Sequence, residues 1–189
     1  MHPTDAVTNL LLTVGEDPNR EGLKDTPFRF VKALEFWTSG YGQDPATVLT
    51  TFDNDNHDEL IFQGSIPFYS TCEHHITAFF GLAHVGYLPG NRIVGLSKLA
   101  RLIEIFSRRL TIQERICTQV ADSLMEHLHC KGVGVVLHCR HLCMESRGVQ
   151  KPGTITITSA LRGAIKEHGD LRAEFYSMVA SASTGLSKP

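Results

Sequence analysis

Residues 60–89 read LIFQGSIPFYSTCEHHITAFFGLAHVGYLP, and this stretch decides the fold. Two apolar, β-branched and aromatic runs, LIFQGSIPFYS and AFFGLAHVGYLP, flank a short polar cluster, which predicts two antiparallel strands joined at Cys72-Glu73-His74-His75. C-terminal to them, residues 96–128 carry helical periodicity in two pieces. The first, from Ser97, sets Leu99, Leu102, Ile103 and Phe106 on one face; the second repeats Ile112, Ile116, Val120, Leu124 and Leu128. Thr111 with Glu114 three residues on reads as a capping box, and Gly132 as the C-cap. GVGVVLHC (132–139) and TITITS (154–159) return to strand texture, and residues 166–181 read as a closing helix. N-terminal to the decisive stretch, 3–15 and 26–38 read as helices, the second with Thr26 as N-cap and Pro27 at its first position. Residues 39–58 are polar and turn-rich and read as an exposed connection.

This order predicts an α+β fold: two strands, two helices and two strands forming an antiparallel sheet with helices on one face, preceded by N-terminal helices. Residues 1–58 form the expected N-terminal helical segment and connection, and 59–189 the expected α+β domain with its C-terminal helix. A four-stranded sheet has two open edges, so assembly through them is expected.

The chain has 189 residues, 18 basic and 20 acidic side chains, a formal net charge of −2 and 42% hydrophobic residues. That composition excludes a disordered chain and a general polyanion binder, so no nucleic-acid partner is expected. No run approaches the roughly 18 apolar residues of a membrane span. MHPTDAV lacks a basic region followed by an apolar run, so a cytoplasmic location is expected. The five cysteines are then expected to be reduced.

The chain has ten histidines, and several of them cluster near cysteines, at 72–75 and at His138-Cys139-Arg140-His141-Leu142-Cys143. Cys72-x-x-His75 has a spacing that chelates one ion, and Cys143 offers a third ligand after the chain returns. Two Cys and one His form a set used by catalytic zinc, with a fourth position left for water. A lone Cys-x-x-His is explained equally well by core cysteines beside surface histidines. Alternation in an extended chain would put His141 on the side of Cys143. His84 reads as a core or interface side chain, Cys117 and Cys139 as core thiols, and His138 as facing away from His141.

FYSTCEHH (68–75), GLSKLAR (95–101), RRLTIQER (108–115) and HLCMESRG (141–148) together resemble GTP cyclohydrolase I, in order and spacing. GEDPNREGLKDTPFR (15–29) and LRAEF (171–175) agree as well. The resemblance implies a tunnelling fold whose sheets join between subunits in a barrel, in a homodecamer of two pentamers. It implies conversion of GTP and water to 7,8-dihydroneopterin triphosphate and formate, the first step of pterin and tetrahydrofolate biosynthesis. One Zn²⁺ per subunit is implied on Cys72, His75 and Cys143, with no redox cofactor. His74 and His141 match the family's acid/base histidines, and Ser97 a residue near the ribose. Lys98, Arg101, Arg147 and Arg29 match the triphosphate contacts, Arg29 reaching the site from a neighbouring subunit. Glu114 matches the guanine-binding carboxylate, with Gln113 a further candidate beside it. The absence of GxxxxGK[ST] excludes a P-loop cradle.

Two other enzymes match parts of this pattern. The nitrile reductase of queuosine synthesis shares the fold but needs a nucleophilic Cys without zinc, and NADPH. GTP cyclohydrolase II groups its zinc cysteines closely in sequence. A non-catalytic zinc or ligand-binding paralogue would have lost His74, His141 or the basic set.

Overall fold

The computed structural model describes residues 2–184. In chain order the elements are α1 (Pro3–Thr13), α2 (Thr26–Trp37), a 3₁₀ turn (Ser39–Gly42), α3 (Pro45–Val48), β1 (Thr51–Asp53), β2 (Ile61–Cys72) and β3 (Thr77–Leu88). β4 (Arg92–Val94), α4 (Leu96–Ser107), β5 (Leu110–Thr111), α5 (Gln113–Leu128), β6 (Gly132–His141) and α6 (Leu142–Glu145) follow. β7 (Thr156–Arg162), α7 (Gly163–Glu167) and α8 (Gly169–Thr184) complete the order. The chain divides into two compact units, one ending at Ser39 and the other beginning at Gly40.

In the first unit α1 packs on α2, burying Val7 and Pro27. Asp25, not Thr26, is the cap residue of α2, and its side chain makes no capping bond. Its carboxylate is held instead by Arg29 four residues on, at 3.0 Å.

In the second unit a five-stranded sheet runs in the order β5-β2-β3-β6-β7. The expected hairpin is present: β2 pairs antiparallel with β3 from Ile61↔Tyr87 to Cys72↔Thr77, with an irregularity between Gln63 and Ile66. Period-2 alternation then sorts the side chains. Phe79, Ala83, Val85 and Tyr87 of β3, with Val133, Val135 and Leu137 of β6, face α4 and α5. The helices answer with Leu99, Leu102, Ile103, Ile116, Val120 and Leu124, all fully buried. Each such side chain stabilises the fold by about 1.5–3 kcal/mol through removal from water. On the opposite face α7 and α8 cover one end through Ile165, Phe175 and Val179. Gly86 and Gly134 are register partners across β3 and β6, and the ring of Phe175 fills the notch they leave. A Cβ on either glycine would lie 2.9 Å or less from that ring.

Several boundaries differ from expectation. Residues 39–58 are not a featureless connection, because β1 pairs with β4 and Arg92 binds Asp53 at 2.6 Å. Thr111 does not cap α5: Leu110 and Thr111 add to β2 as a short parallel strand, in register with Thr71 and Cys72. The cap position falls to Ile112 with no side-chain bond, so no capping box forms with Glu114. Gly132 starts β6, and α5 ends instead with His129 in the left-handed region (φ 51°). Ser97 lies inside the first turn of α4, whose cap is Gly95. The fourth strand lies two residues later than expected, and the final helix is interrupted by His168 in extended conformation.

Candidate active site

β2 ends at Cys72 and β3 begins at Thr77, leaving a four-residue loop. The backbone N–H groups of His75 and Ile76 both donate to the Cys72 carbonyl, at 3.3 and 2.9 Å. Ile76 takes φ +49°, an uncommon conformation for a β-branched residue. Two contacts hold this strained loop down. The Glu73 N–H donates to the Thr111 carbonyl at 3.1 Å, a bond made possible by β5. The Arg115 guanidinium grips the Glu73 carboxylate with both Nη atoms, and this hydrogen bond keeps the carboxyl below its ordinary pKa. Neither Glu73 nor Arg115 was singled out from the sequence. Both lie inside recognisable motifs, but nothing in the one-dimensional pattern couples positions 42 residues apart.

The loop brings Cys72 Sγ to 3.7 Å from His75 Nδ1 and 4.0 Å from His74 Nδ1. Across the sheet β6 runs beside β3, with His141 opposite Phe79. After His141 the backbone turns into α6, stapled by Arg140–Glu145 bonds of 2.9 and 2.6 Å. This helical turn, not strand alternation, delivers Cys143. Ligand atoms of Cys72, His75 and Cys143 all lie within 4.8 Å of one another. No other group of three such ligands occurs among the described residues.

The donor set fits a tetrahedral dication. Metal–sulfur bonds of about 2.3 Å and metal–nitrogen bonds of about 2.0–2.1 Å require ligand atoms roughly 3.5–3.8 Å apart. The Cys72–His75 spacing of 3.7 Å meets that requirement, and the widest separation in the set, up to 4.8 Å, would have to close by about 1 Å around an ion. Burial, and then the adjacent Cys72, push the Cys143 thiol pKa up. A cation between the two sulfurs reverses that preference. Cys117 and Cys130 are core thiols whose burial pushes them to about 11, and burial pushes Cys139 up as well.

His141 is held on two sides. Its ring stacks on Phe79, centroids 4.8 Å apart and 6° from parallel. Its Nε2 lies 2.8 Å from Gln113 Oε1. Burial lowers its pKa, partly countered by the nearby charges of Glu114 and Glu145. Gln113 is 1% exposed, so it forms part of the wall behind His141. Glu114, the next residue, is exposed. Consecutive residues of the first turn of α5 therefore face His141, solvent and the Glu73 carboxylate in turn.

Arg147 lies near enough for its charge to favour the Cys143 thiolate. Ser97, Lys98 and Arg101 lie in the first two turns of α4, where the Lys98 N–H donates to the Gly95 carbonyl at 2.8 Å. Arg29 belongs to the first unit and pairs with Asp25.

The GTP cyclohydrolase I family model matches residues 4–180. A GTP cyclohydrolase 1 from Nitrosospira multiformis is 53% identical over 174 residues, covering 91% of each chain. The chain belongs to the GTP cyclohydrolase I family. A GTP cyclohydrolase 1 from Campylobacter lari is 50% identical over 94% of each chain. One from Corynebacterium glutamicum is 48% identical over 93% of this chain and 91% of its own. Membership in the GTP cyclohydrolase I family makes the observed α+β sheet the expected tunnelling fold and sets aside the sister-enzyme readings.

Proposed function

We propose that this chain opens GTP hydrolytically at C8 and rearranges it to 7,8-dihydroneopterin triphosphate and formate, the first step of pterin and tetrahydrofolate biosynthesis. The observation that carries this reading is the convergence of Cys72, His75 and Cys143 beside an imidazole, His141, that is already fixed in place. Those three residues would hold one Zn²⁺ per subunit. Zinc bound there supplies Lewis acidity, lowering the pKa of water to about 7 and making it a nucleophile at neutral pH.

The protein groups divide the remaining work. Purine C8 becomes electrophilic when N7 is protonated, and His74, exposed beside Cys72, is the donor to N7. His141 takes the proton released as water adds to C8 and returns it when the ring C–N bond breaks. A positioned imidazole of this kind contributes about 10²–10⁴-fold. The Glu114 carboxylate accepts from guanine N1–H and the exocyclic amine together, which rejects adenine. Lys98 and Arg101, one turn apart, and Arg147 neutralise the triphosphate. Ser97, beside Lys98, is assigned to the ribose. Arg29 completes the phosphate site from a neighbouring subunit.

The homo-oligomer, a decamer of two pentamers, has physical support in one chain. β5 and β7 form the outer edges of the sheet. On the face away from α4 and α5, Tyr69 and Ile157 stand about 60% exposed. Pairing of the edges in a barrel would satisfy the backbone and cover that face. No helix of the described residues is long and apolar enough to cross a membrane.

The test is to incubate the zinc-loaded protein with GTP and follow formate together with the near-ultraviolet absorbance of a dihydropterin. Both should appear together and both should vanish with a chelator. Untouched GTP in the presence of bound zinc and intact oligomer would contradict the reading and favour a binding paralogue.

A further inference from the structure

Gln113 is bonded on every polar atom of its side chain. Its Nε2 donates one hydrogen to the Leu137 carbonyl at 3.0 Å and the other to the Thr156 carbonyl at 3.1 Å. These acceptors belong to neighbouring strands, β6 and β7, and bind only the NH₂ end of the amide. A flipped amide would set its oxygen against two carbonyls, leaving buried groups unsatisfied at a cost of about 1–3 kcal/mol each. The orientation of the amide is therefore dictated by its surroundings. Oε1, which can only accept, then faces His141 Nε2 at 2.8 Å.

We propose that Gln113 is a positioning residue that holds neutral His141 as the Nε2–H tautomer, leaving Nδ1 as its one nitrogen able to accept a proton. Phe79 fixes the plane of the ring, and a half-turn within that stack would put Cε1 where Nε2 meets Gln113 Oε1, so the bond to Gln113 selects between the two ring orientations. His141 Nδ1 has no hydrogen-bond partner among the described residues. The same ring with its proton on Nδ1 would present no base there. Gln113 itself is buried and committed to backbone, so this role replaces the guanine contact expected from the sequence. The inference rests on the hydrolase reading for its catalytic meaning, and on hydrogen bonds alone for the tautomer.

The test uses the zinc-loaded oligomer, labelled with ¹⁵N-histidine, in solid-state magnetic resonance at neutral pH. The His141 signals are identified by their absence in His141→Gln. The wild type should show a protonated Nε2 and an unprotonated Nδ1. Gln113→Leu should lose that uniform pattern and drop kcat about 10–100-fold, the usual effect of removing an orienting partner. KM for GTP should change little, because no ground-state contact is removed. A proton on Nδ1 in the wild type would overturn the proposal. So would a Gln113→Leu variant whose KM rises while kcat is unchanged, since Gln113 would then be a substrate contact. If the wild type never turns over GTP, the hydrolase reading fails, and the ¹⁵N pattern still decides the tautomer.

Discussion

β6 carries two histidines three residues apart, and they lie in opposite worlds. His141 faces the site, bonded to Gln113 and stacked on Phe79. His138 faces the other side of the sheet, 5.0 Å from the ring of His84. His84 is fully buried; the Ser65 N–H donates to its Nδ1 at 3.3 Å, and its Nε2 has no hydrogen-bond partner among the described residues. Burial, and then the neighbouring His138, push His84 down to about 4. His141 and His138 share residue type and strand, and His84 joins His138 from β3. The difference lies in what each ring is bonded to: one pair of contacts leaves a nitrogen free for protons, the other buries a ring that resists charge.

The comparison breaks most sharply at His141. His141→Ala should keep its metal yet lose about 10²–10⁴-fold in kcat, the usual worth of a positioned acid/base. Metal content together with dihydropterin formation checks this, and undiminished turnover removes His141 from the chemistry. The second contrast is in acid stability. His84 has a folded pKa near 4 against an ordinary 6.5, so unfolding takes up a proton between those values. Stability is then full above about pH 6.5 and declines as pH falls toward 4, by on the order of 3 kcal/mol. Burial lowers His138 too, in the same direction. His84→Gln, whose carbonyl can accept the Ser65 N–H, should flatten that decline in denaturant titrations at fixed protein concentration. An unchanged acid slope would show that His84 is not its source. The smallest effect is expected from His138→Ala, which should leave kcat and KM for GTP unaltered in the same assay. A large loss there would erase the distinction between the two faces.

Much of this was legible in the sequence for reasons that are local. The apolar runs around 72–75 specify a hairpin because period 2 needs only near neighbours, and the leucine spacing of α4 and α5 specifies their buried faces in the same way. Cys72 and His75 share a loop, so their chelating geometry is nearly a property of four residues. What escaped depends on distant partners. Thr111 has good capping chemistry, yet its backbone is claimed by Cys72 on β2, and that tertiary pairing moves the cap of α5 one residue on, to Ile112. Strand alternation placed His141 and Cys143 on one side, but the backbone leaves the strand at His141 and a helical turn does the work. The Glu73–Arg115 grip and the Gln113 amide network join residues far apart in the chain, and no periodicity announces them.

On the proposed function, turnover depends on a metal held by Cys72, His75 and Cys143. The most direct measurement is metal stoichiometry and dihydropterin formation on the same samples of wild type and Cys143→Ser. The wild type should carry one zinc per chain and turn over GTP, and Cys143→Ser should lose both together. A Cys143→Ser protein that retains one zinc per chain and full turnover would contradict the account.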